Sequence, residues 1–381
     1  MSGAIDRRAA LCALAGAGAL TWAGAGTAAV RKPAKGSVYD RSIVIDAQGA
    51  FGEFDSKADP DAPPSPAFIA KMRASGVTAI SMTMGEVGNG PERYVSTLQN
   101  IAQVASGMAS DPQNFLLIQK AADLAEAKRS GRIGIILNTQ DTTALETDLK
   151  RVKALKDVGI RIIQLTYNKR NLCGDGSLER ANAGISDFGR QVIAEINKAD
   201  VLLDLSHGGQ RTIAEAIAET KVSPAITHTG CRDLVDLPRN VWDRELKALA
   251  DKGGVVGIYF MPFLRPSGQP HAEDVIRHLE HAVNVCGEDH VGLGTDGLSG
   301  AITVDDAYRD MQKKFFERRQ AAGIAAPGEA ADVFNFVPEY NGPRHFEALA
   351  MDLSKRGWSD ARIEKVLGAN FARLFTEVWK G

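Results

Sequence analysis

Short apolar runs alternate with amphipathic stretches along most of the chain. Eight runs are rich in β-branched residues, as in parallel strands that are covered on both faces. They lie at 42–47, 77–83, 131–138, 159–166, 200–207, 223–229, 253–260 and 289–296. The intervening stretches place apolar residues at helical spacing, as in 66–75, 91–109, 143–158, 186–199, 209–220, 242–252 and 271–286. The order of these patterns predicts alternating strands and helices.

This alternation predicts an α/β fold, a (β/α)8 barrel of the TIM type. A doubly wound open sheet is the alternative. No G-x-G-x-x-G segment links a strand to a helix, which weakens a dinucleotide-binding version of that sheet. Beyond about residue 304 the chain adds helices, notably over 361–379. We expect 41–381 to form a single barrel domain with additional C-terminal helices.

The first residues have the composition of an export signal. Arg7 and Arg8 precede an uncharged stretch rich in Ala, Gly and Leu that ends in small residues near 27–29, as in a bacterial signal peptide. The paired arginines favour the twin-arginine route; an ordinary signal or an uncleaved anchor helix is the alternative. We expect 1–29 to be a cleaved signal and 30–40 a linker. The mature protein is then periplasmic, with no membrane span.

Composition narrows the classes of function. The 381 residues carry 45 Lys and Arg against 47 Asp and Glu, a net charge of −2, so no nucleic-acid partner is expected. The four cysteines lie far apart without a C-x-x-C pair, which argues against a disulfide scaffold and a cysteine zinc site. A hydrophobic content of 44% indicates a folded domain rather than a disordered chain.

Polar residues close the predicted strands, where the active site of a barrel is built. His207 and His228 end two successive strands. Neutral imidazoles in neighbouring positions suit a divalent ion of the zinc type, although either ring alone would more simply be a core histidine. Asp296, in GLGTDG, is a candidate ligand or general acid/base, or a turn aspartate beside glycine. Arg239, in LPRN, is a candidate clamp for a substrate carboxylate, or a surface ion-pair residue.

These strand ends resemble those of the membrane (renal) dipeptidase family of zinc metallopeptidases, which are (β/α)8 barrels. The resemblance extends over about 42–378, and its matching segments are LLDLSH with His207, THTG with His228, LPRN with Arg239 and GLGTDG with Asp296. It implies dipeptide hydrolysis at two zinc ions, with His207 and His228 as ligands of one ion. It further implies that Arg239 holds the C-terminal carboxylate of the substrate and that Asp296 acts as acid and base. A homodimer is a further expectation of the resemblance.

The chain departs from the family at its other metal positions. Gln48 and Ala50 replace the His-x-Asp pair after strand 1, and Gln140 replaces the bridging glutamate after strand 3. Neutral amides are poor zinc ligands and cannot offset the charge of two close dications. The histidine of strand 4 that stabilises the oxyanion is replaced by Tyr167, which retains a hydrogen-bond donor. We expect one zinc ion at most, with Tyr167 as a catalytic residue beside Asp296.

Three hypotheses remain open. The first is a metal-dependent dipeptidase-like hydrolase, cleaving a dipeptide or related small amide with one ion on His207 and His228. Asp296, water or a displaced carboxylate would complete that site, and the nearby carboxylates are Asp46, Glu53, Asp55, Glu86 and Asp141. The second is a metal-free barrel of the same family, which binds a ligand or partner or catalyses a non-hydrolytic maturation step. The third is an unrelated (β/α)8 hydrolase.

Overall fold

Parallel strands alternate with helices through the part of the chain that the computed structural model describes, residues 36–52, 54, 64–88, 90 and 92–380. The strands are β1 (Ile45–Asp46), β2 (Ala79–Thr83), β3 (Phe115–Leu117), β4 (Ile133–Thr139), β5 (Ile160–Gln164), β6 (Leu202–Asp204), β7 (Ala225–Thr229), β8 (Val255–Ile258) and β9 (Val291–Leu293). The helices are α1 (Val38–Arg41), α2 (Pro66–Ser75), α3 (Arg93–Ser110), α4 (Ala122–Ser130), α5 (Lys150–Asp157), α6 (Asp187–Lys198), α7 (Gln210–Glu219), α8 (Asp243–Asp251), α9 (Ala272–Cys286), α10 (Asp306–Ala321), α11 (His345–Lys355), α12 (Asp360–Glu364) and α13 (Asn370–Val378).

The strands form one parallel sheet that curves into a barrel. Its order is β1-β2-β4-β5-β6-β7-β8-β9, and β3 pairs with β4 outside this path. Backbone hydrogen bonds from Ala47 N to Leu293 O (3.0 Å) and from Asp296 N to Gln48 O (2.8 Å) connect the last strand to the first. The predicted (β/α)8 barrel is confirmed, with a strand in each of the eight predicted runs. β3 was not predicted; it is a short strand that pairs with β4 outside the eight-strand path.

Apolar side chains fill one end of the barrel. Ile45, Ala79, Leu202, Ala225 and Val255 belong to a single buried cluster with three residues of α13, namely Phe371, Leu374 and Phe375. Burial of this much apolar surface stabilises the barrel and closes that end. The polar residues that follow the strands are thereby left to line the opposite end, where the carboxyl ends of the strands meet.

None of the described helices has the length and apolar character that a membrane crossing needs. The predicted export segment 1–29 lies outside the described residues, and so does the predicted linker up to residue 35. The export route and the periplasmic location therefore stay predictions. The homodimer is a separate expectation and also stays a prediction.

Candidate active site

A pocket lies at the carboxyl ends of the strands and encloses about 870 Å³, including its opening to solvent. Its polar lining consists of Gln140, Tyr167, His207, Arg239, Asp296, Gln312, Arg319, Glu329 and Asn335. Its apolar lining includes Met261, Phe263, Leu298, Ile302, Met311 and Phe315. This mixture of polar and apolar lining residues suits a small organic molecule with both polar and apolar groups.

His207 follows β6 as a buried ring whose tautomer is set by its neighbour. Its Nδ1 atom lies 2.6 Å from Oδ1 of Asn168. The amide nitrogen of Asn168 donates to the Ile324 carbonyl (2.8 Å), which identifies Oδ1 as the acceptor. His207 therefore donates from Nδ1 and carries a lone pair on Nε2.

His228 lies in β7 and has the same tautomer for a similar reason. Its Nδ1 atom lies 2.9 Å from the Thr227 hydroxyl. That hydroxyl donates to Oδ2 of Asp204 (2.6 Å), so it accepts from the imidazole. The Nε2 atom of His228 is again left with a lone pair.

Both imidazoles are neutral and both Nε2 atoms are without a partner among the described residues. Burial lowers the pKa of each ring well below its ordinary value, and the charge of Arg239 lowers it further. A ligand atom of Asp296 joins them, and the three ligand atoms lie within 4.8 Å of one another. Two neutral imidazoles with a carboxylate are a donor set that zinc-type ions prefer.

His207 and Asp296 share an unusual backbone conformation. Their φ angles are 61° and 57°, in the left-handed region that non-glycine residues seldom occupy. Such conformations cost about 1–3 kcal/mol and cluster at active sites. Here they lie at the βα turns that turn both side chains into the pocket.

Asp296 has an environment suited to proton exchange near neutral pH. Burial raises the pKa of its carboxyl to about 6, against the opposing effects of Arg239, Arg319 and a hydrogen bond with Gln140. Arg239 is buried, and its Nη2 atom has no hydrogen-bond partner among the described residues. Its guanidinium lies 5.7 Å from the ring centre of Phe263. A buried guanidinium with an unpaired nitrogen favours binding of an anionic ligand.

Tyr167 stacks on His207, with ring centres 4.1 Å apart and planes inclined by 25°. Its hydroxyl accepts a hydrogen bond of 3.0 Å from Nη1 of Arg319. Glu329 holds Arg319 through two further bonds of 2.6 and 2.8 Å. Sequence reasoning missed Arg319 and Glu329. Arg319 ends the basic segment 313–319 of α10, which has the composition of a solvated helix face.

The replaced family positions hold groups that are already bonded or offer no ligand. Oε1 of Gln48 accepts from Nδ2 of Asn138 (3.0 Å), and Nε2 of Gln48 donates to the Thr83 hydroxyl (3.1 Å). Asn138 also donates to the Ser81 hydroxyl (2.7 Å). Ala50 lines the pocket, but a methyl group cannot bind a metal.

The other candidate carboxylates, where described, lie outside the His207–His228–Asp296 set. Asp46 accepts from the backbone N–H (2.8 Å) and hydroxyl (2.7 Å) of Thr295. Asp141 is buried and accepts from backbone N–H groups. Glu86 forms an ion pair with Arg93. The two remaining candidates lie outside the described residues: Glu53 and Asp55.

Comparison with known proteins identifies the family. Residues 53–326 match the model of membrane dipeptidase, peptidase family M19. An uncharacterised dipeptidase of Schizosaccharomyces pombe is 29% identical over 305 residues, which span 74% of this chain and 72% of that protein. An amidohydrolase from Pseudomonas aeruginosa is 30% identical with a TM-score of 0.75, over 90% of this chain and 98% of that one. A metallopeptidase from Rhodobacter sphaeroides, liganded with a phosphinate mimic of the dipeptide L-Ala-D-Ala, has the same fold at 18% identity (TM-score 0.69, 89% of this chain and 100% of that one). The chain therefore belongs to the membrane dipeptidase family, peptidase family M19, and is a dipeptidase-like hydrolase.

Proposed function

We propose that this hydrolase cleaves dipeptides, or related small amides with a free carboxylate, by using a single zinc-type ion on His207, His228 and Asp296. One observation carries the proposal. Two buried, neutral imidazoles present unpaired Nε2 atoms beside a carboxylate, all within 4.8 Å. A buried polar atom without a partner is unfavourable, and binding of a cation would satisfy both nitrogens at once.

A single ion is favoured over a pair by the groups at the other family positions. The amide of Gln48 is bonded to Thr83 and Asn138, and Ala50 has no ligand atom. Gln140 is neutral and hydrogen-bonded with Asp296. Two dications close together need bridging negative charge, and the strand-end amides do not supply it.

The side chains around His207, His228 and Asp296 have different roles in the proposed amide hydrolysis. The ion, when bound, would act as a Lewis acid on the scissile carbonyl. Arg239 pairs with the substrate carboxylate, as its unpaired Nη2 atom suggests. The Tyr167 hydroxyl donates to the carbonyl oxygen, where negative charge develops in the transition state. Asp296 would hold the ion through one carboxylate oxygen, and its other oxygen would take a proton from the attacking water and return it to the leaving nitrogen.

The decisive experiment is a count of bound metal. The full chain is stripped with chelator, repleted with zinc and analysed for metal, alongside His207→Ala and the control His271→Ala. His271 pairs with Glu339 and its side chain is 50% exposed. We expect about one ion per chain in the wild type and the control, and none in His207→Ala. Dipeptide hydrolysis should be detectable only in the variants that bind the ion. The reason is that His207 supplies one of the two imidazole ligands of the proposed ion.

Other counts would contradict the proposal in distinct ways. Two ions per chain would refute the reduced site and point to the two-zinc chemistry of the family. No metal after repletion would refute the metal-dependent mechanism. The metal-free barrel, acting as a binding protein or in a non-hydrolytic maturation step, would then be the better hypothesis.

A further inference from the structure

The hydroxyl of Tyr167 accepts one hydrogen bond and retains its own proton. A guanidinium group has only donors, so the phenol is the acceptor in the 3.0 Å contact between Arg319 Nη1 and Tyr167. The described residues provide no second partner for this hydroxyl. Tyr167 lines the same pocket as His207 and Asp296, so the phenolic proton is available to a molecule bound there.

Arg319 is held in place from several sides. Glu329 takes two of its N–H groups, and the Ile324 carbonyl accepts a third at 3.3 Å. The guanidinium also lies 5.4 Å from the ring centre of Phe315. The side chains of Arg319 and Glu329 are 15% and 6% exposed. A paired, confined guanidinium is poorly suited to bind a substrate anion itself, but it can hold a neighbouring hydroxyl in one orientation.

We propose that Arg319, clamped by Glu329, is a positioning residue that holds the Tyr167 hydroxyl as a hydrogen-bond donor to the carbonyl oxygen of the substrate. The inference rests on the proposed function, because it assigns the donated bond to the amide being cleaved. An oxyanion donor is effective only when it is oriented before the reaction. Arg319 and Glu329 also line the pocket, but the N–H groups of Arg319 are taken by Glu329, Ile324 and Tyr167, so we assign its effect to Tyr167.

The test is a double-mutant cycle on kcat with one dipeptide substrate. The variants are Tyr167→Phe, Arg319→Met and both together, each checked for bound metal. We expect Tyr167→Phe to lower kcat by about 100-fold, as for loss of one oxyanion donor. Arg319→Met should lower kcat by about 10-fold with little change in KM, and should have no further effect in the Tyr167→Phe background.

A second buried arginine supplies the control for folding. Arg161 is 8% exposed and donates to the Gln119, Lys156 and Ile160 carbonyls. Arg161→Met should lower the unfolding temperature and leave kcat at the wild-type value. Arg319→Lys keeps the charge and one donor and should restore part of the kcat that Arg319→Met loses.

Two results would overturn the positioning role while the proposed function stands. One is a wild-type kcat in Arg319→Met with only a lower unfolding temperature, as for Arg161→Met. The other is an equal loss from Arg319→Met in the wild type and in the Tyr167→Phe background, which would mean that Arg319 acts independently of Tyr167. A repleted wild type that cleaves no dipeptide would overturn the proposed function and this inference together.

Discussion

Oε1 of Gln48 accepts a hydrogen bond of 3.0 Å from Nδ2 of Asn138, at a position where the family resemblance places a metal ligand. Nε2 of Gln48 is bonded to Thr83, so both ends of the amide have partners inside the barrel. The residue thus serves the packing of the strand ends. These bonds assign Gln48 a structural role rather than a metal-binding one.

Gln48→Met should destabilise the fold without changing the metal content. Asn138 and Thr83 would each lose a buried partner, which costs about 1–3 kcal/mol in the free energy of unfolding. Denaturant unfolding and metal analysis measure the two effects. Gln99→Met, at an exposed position of α3, is the control and should change stability much less. A fall in bound metal in Gln48→Met would show that Gln48 is a ligand after all.

Asn168 should control metal affinity through the tautomer of His207. Asn168→Ala removes the acceptor that lies 2.6 Å from Nδ1, and loss of such a partner typically weakens metal binding by about 10–100-fold. Asn168→Asp retains an acceptor oxygen and should bind zinc more tightly than the alanine variant. Competition with a chromophoric chelator measures both constants. Equal losses in the two variants would contradict the assigned role.

Metal binding should release a proton in mildly acidic solution. Without metal the pKa of Asp296 is about 6, while both histidines are already neutral because their pKa values are lowered well below the ordinary value. At pH 5 the carboxyl is therefore protonated and must lose its proton to become a ligand. Affinity should fall about 10-fold per pH unit below that pKa.

Titration calorimetry at pH 5, in two buffers of different ionisation enthalpy, counts the released protons. Asp296→Asn should release none. Release of two or more protons by the wild type would mean that a histidine also titrates, contrary to the burial of both rings.

Arg239→Met should raise KM for a dipeptide with a free carboxylate. Loss of a charged hydrogen-bond partner costs about 1.5–3 kcal/mol, or about 10–150-fold in binding. The matching dipeptide with an amidated C-terminus lacks the anion, so its KM should be nearly the same for the variant and the wild type. Steady-state kinetics on the two substrates make the comparison. An equal effect on both would assign Arg239 a role other than carboxylate binding.

The apolar residues that line the pocket should favour substrates with an apolar side chain. Met311 is partly buried and lines the pocket from α10, and Met311→Ala removes apolar contact equivalent to about two methylene groups, each worth about 0.8 kcal/mol. KM should rise about 10-fold for a dipeptide with a bulky apolar side chain and little for a glycine-containing one. Met351→Ala, on the 43% exposed Met351 of α11, is the control. A rise for both substrates would indicate a general disturbance of the pocket.

The barrel and its strand-end residues were accessible from sequence because both depend on local pattern. The run 223–229 reads SPAITHT, with Ala, Ile and the β-branched Thr227 directly before His228. This local pattern predicts a short strand with the histidine at its carboxyl end. Parallel strands in a barrel share that end. The meeting of His207, His228 and Asp296 within 4.8 Å follows from the same rule.

The partners of these residues were decided only by the tertiary structure. Arg319 lies 152 residues from Tyr167, and Gln48 lies 90 residues from Asn138. Nothing in the local pattern distinguishes Arg319 from the solvated charges around it on α10. A strand or helix is specified by the periodicity of neighbouring residues, whereas a buried hydrogen bond depends on which distant atoms the closed barrel brings within 3 Å. The sequence by itself determined the barrel and the residues at its carboxyl ends; the tautomers, the amide bonds of Gln48 and the clamp on Tyr167 required the assembled fold.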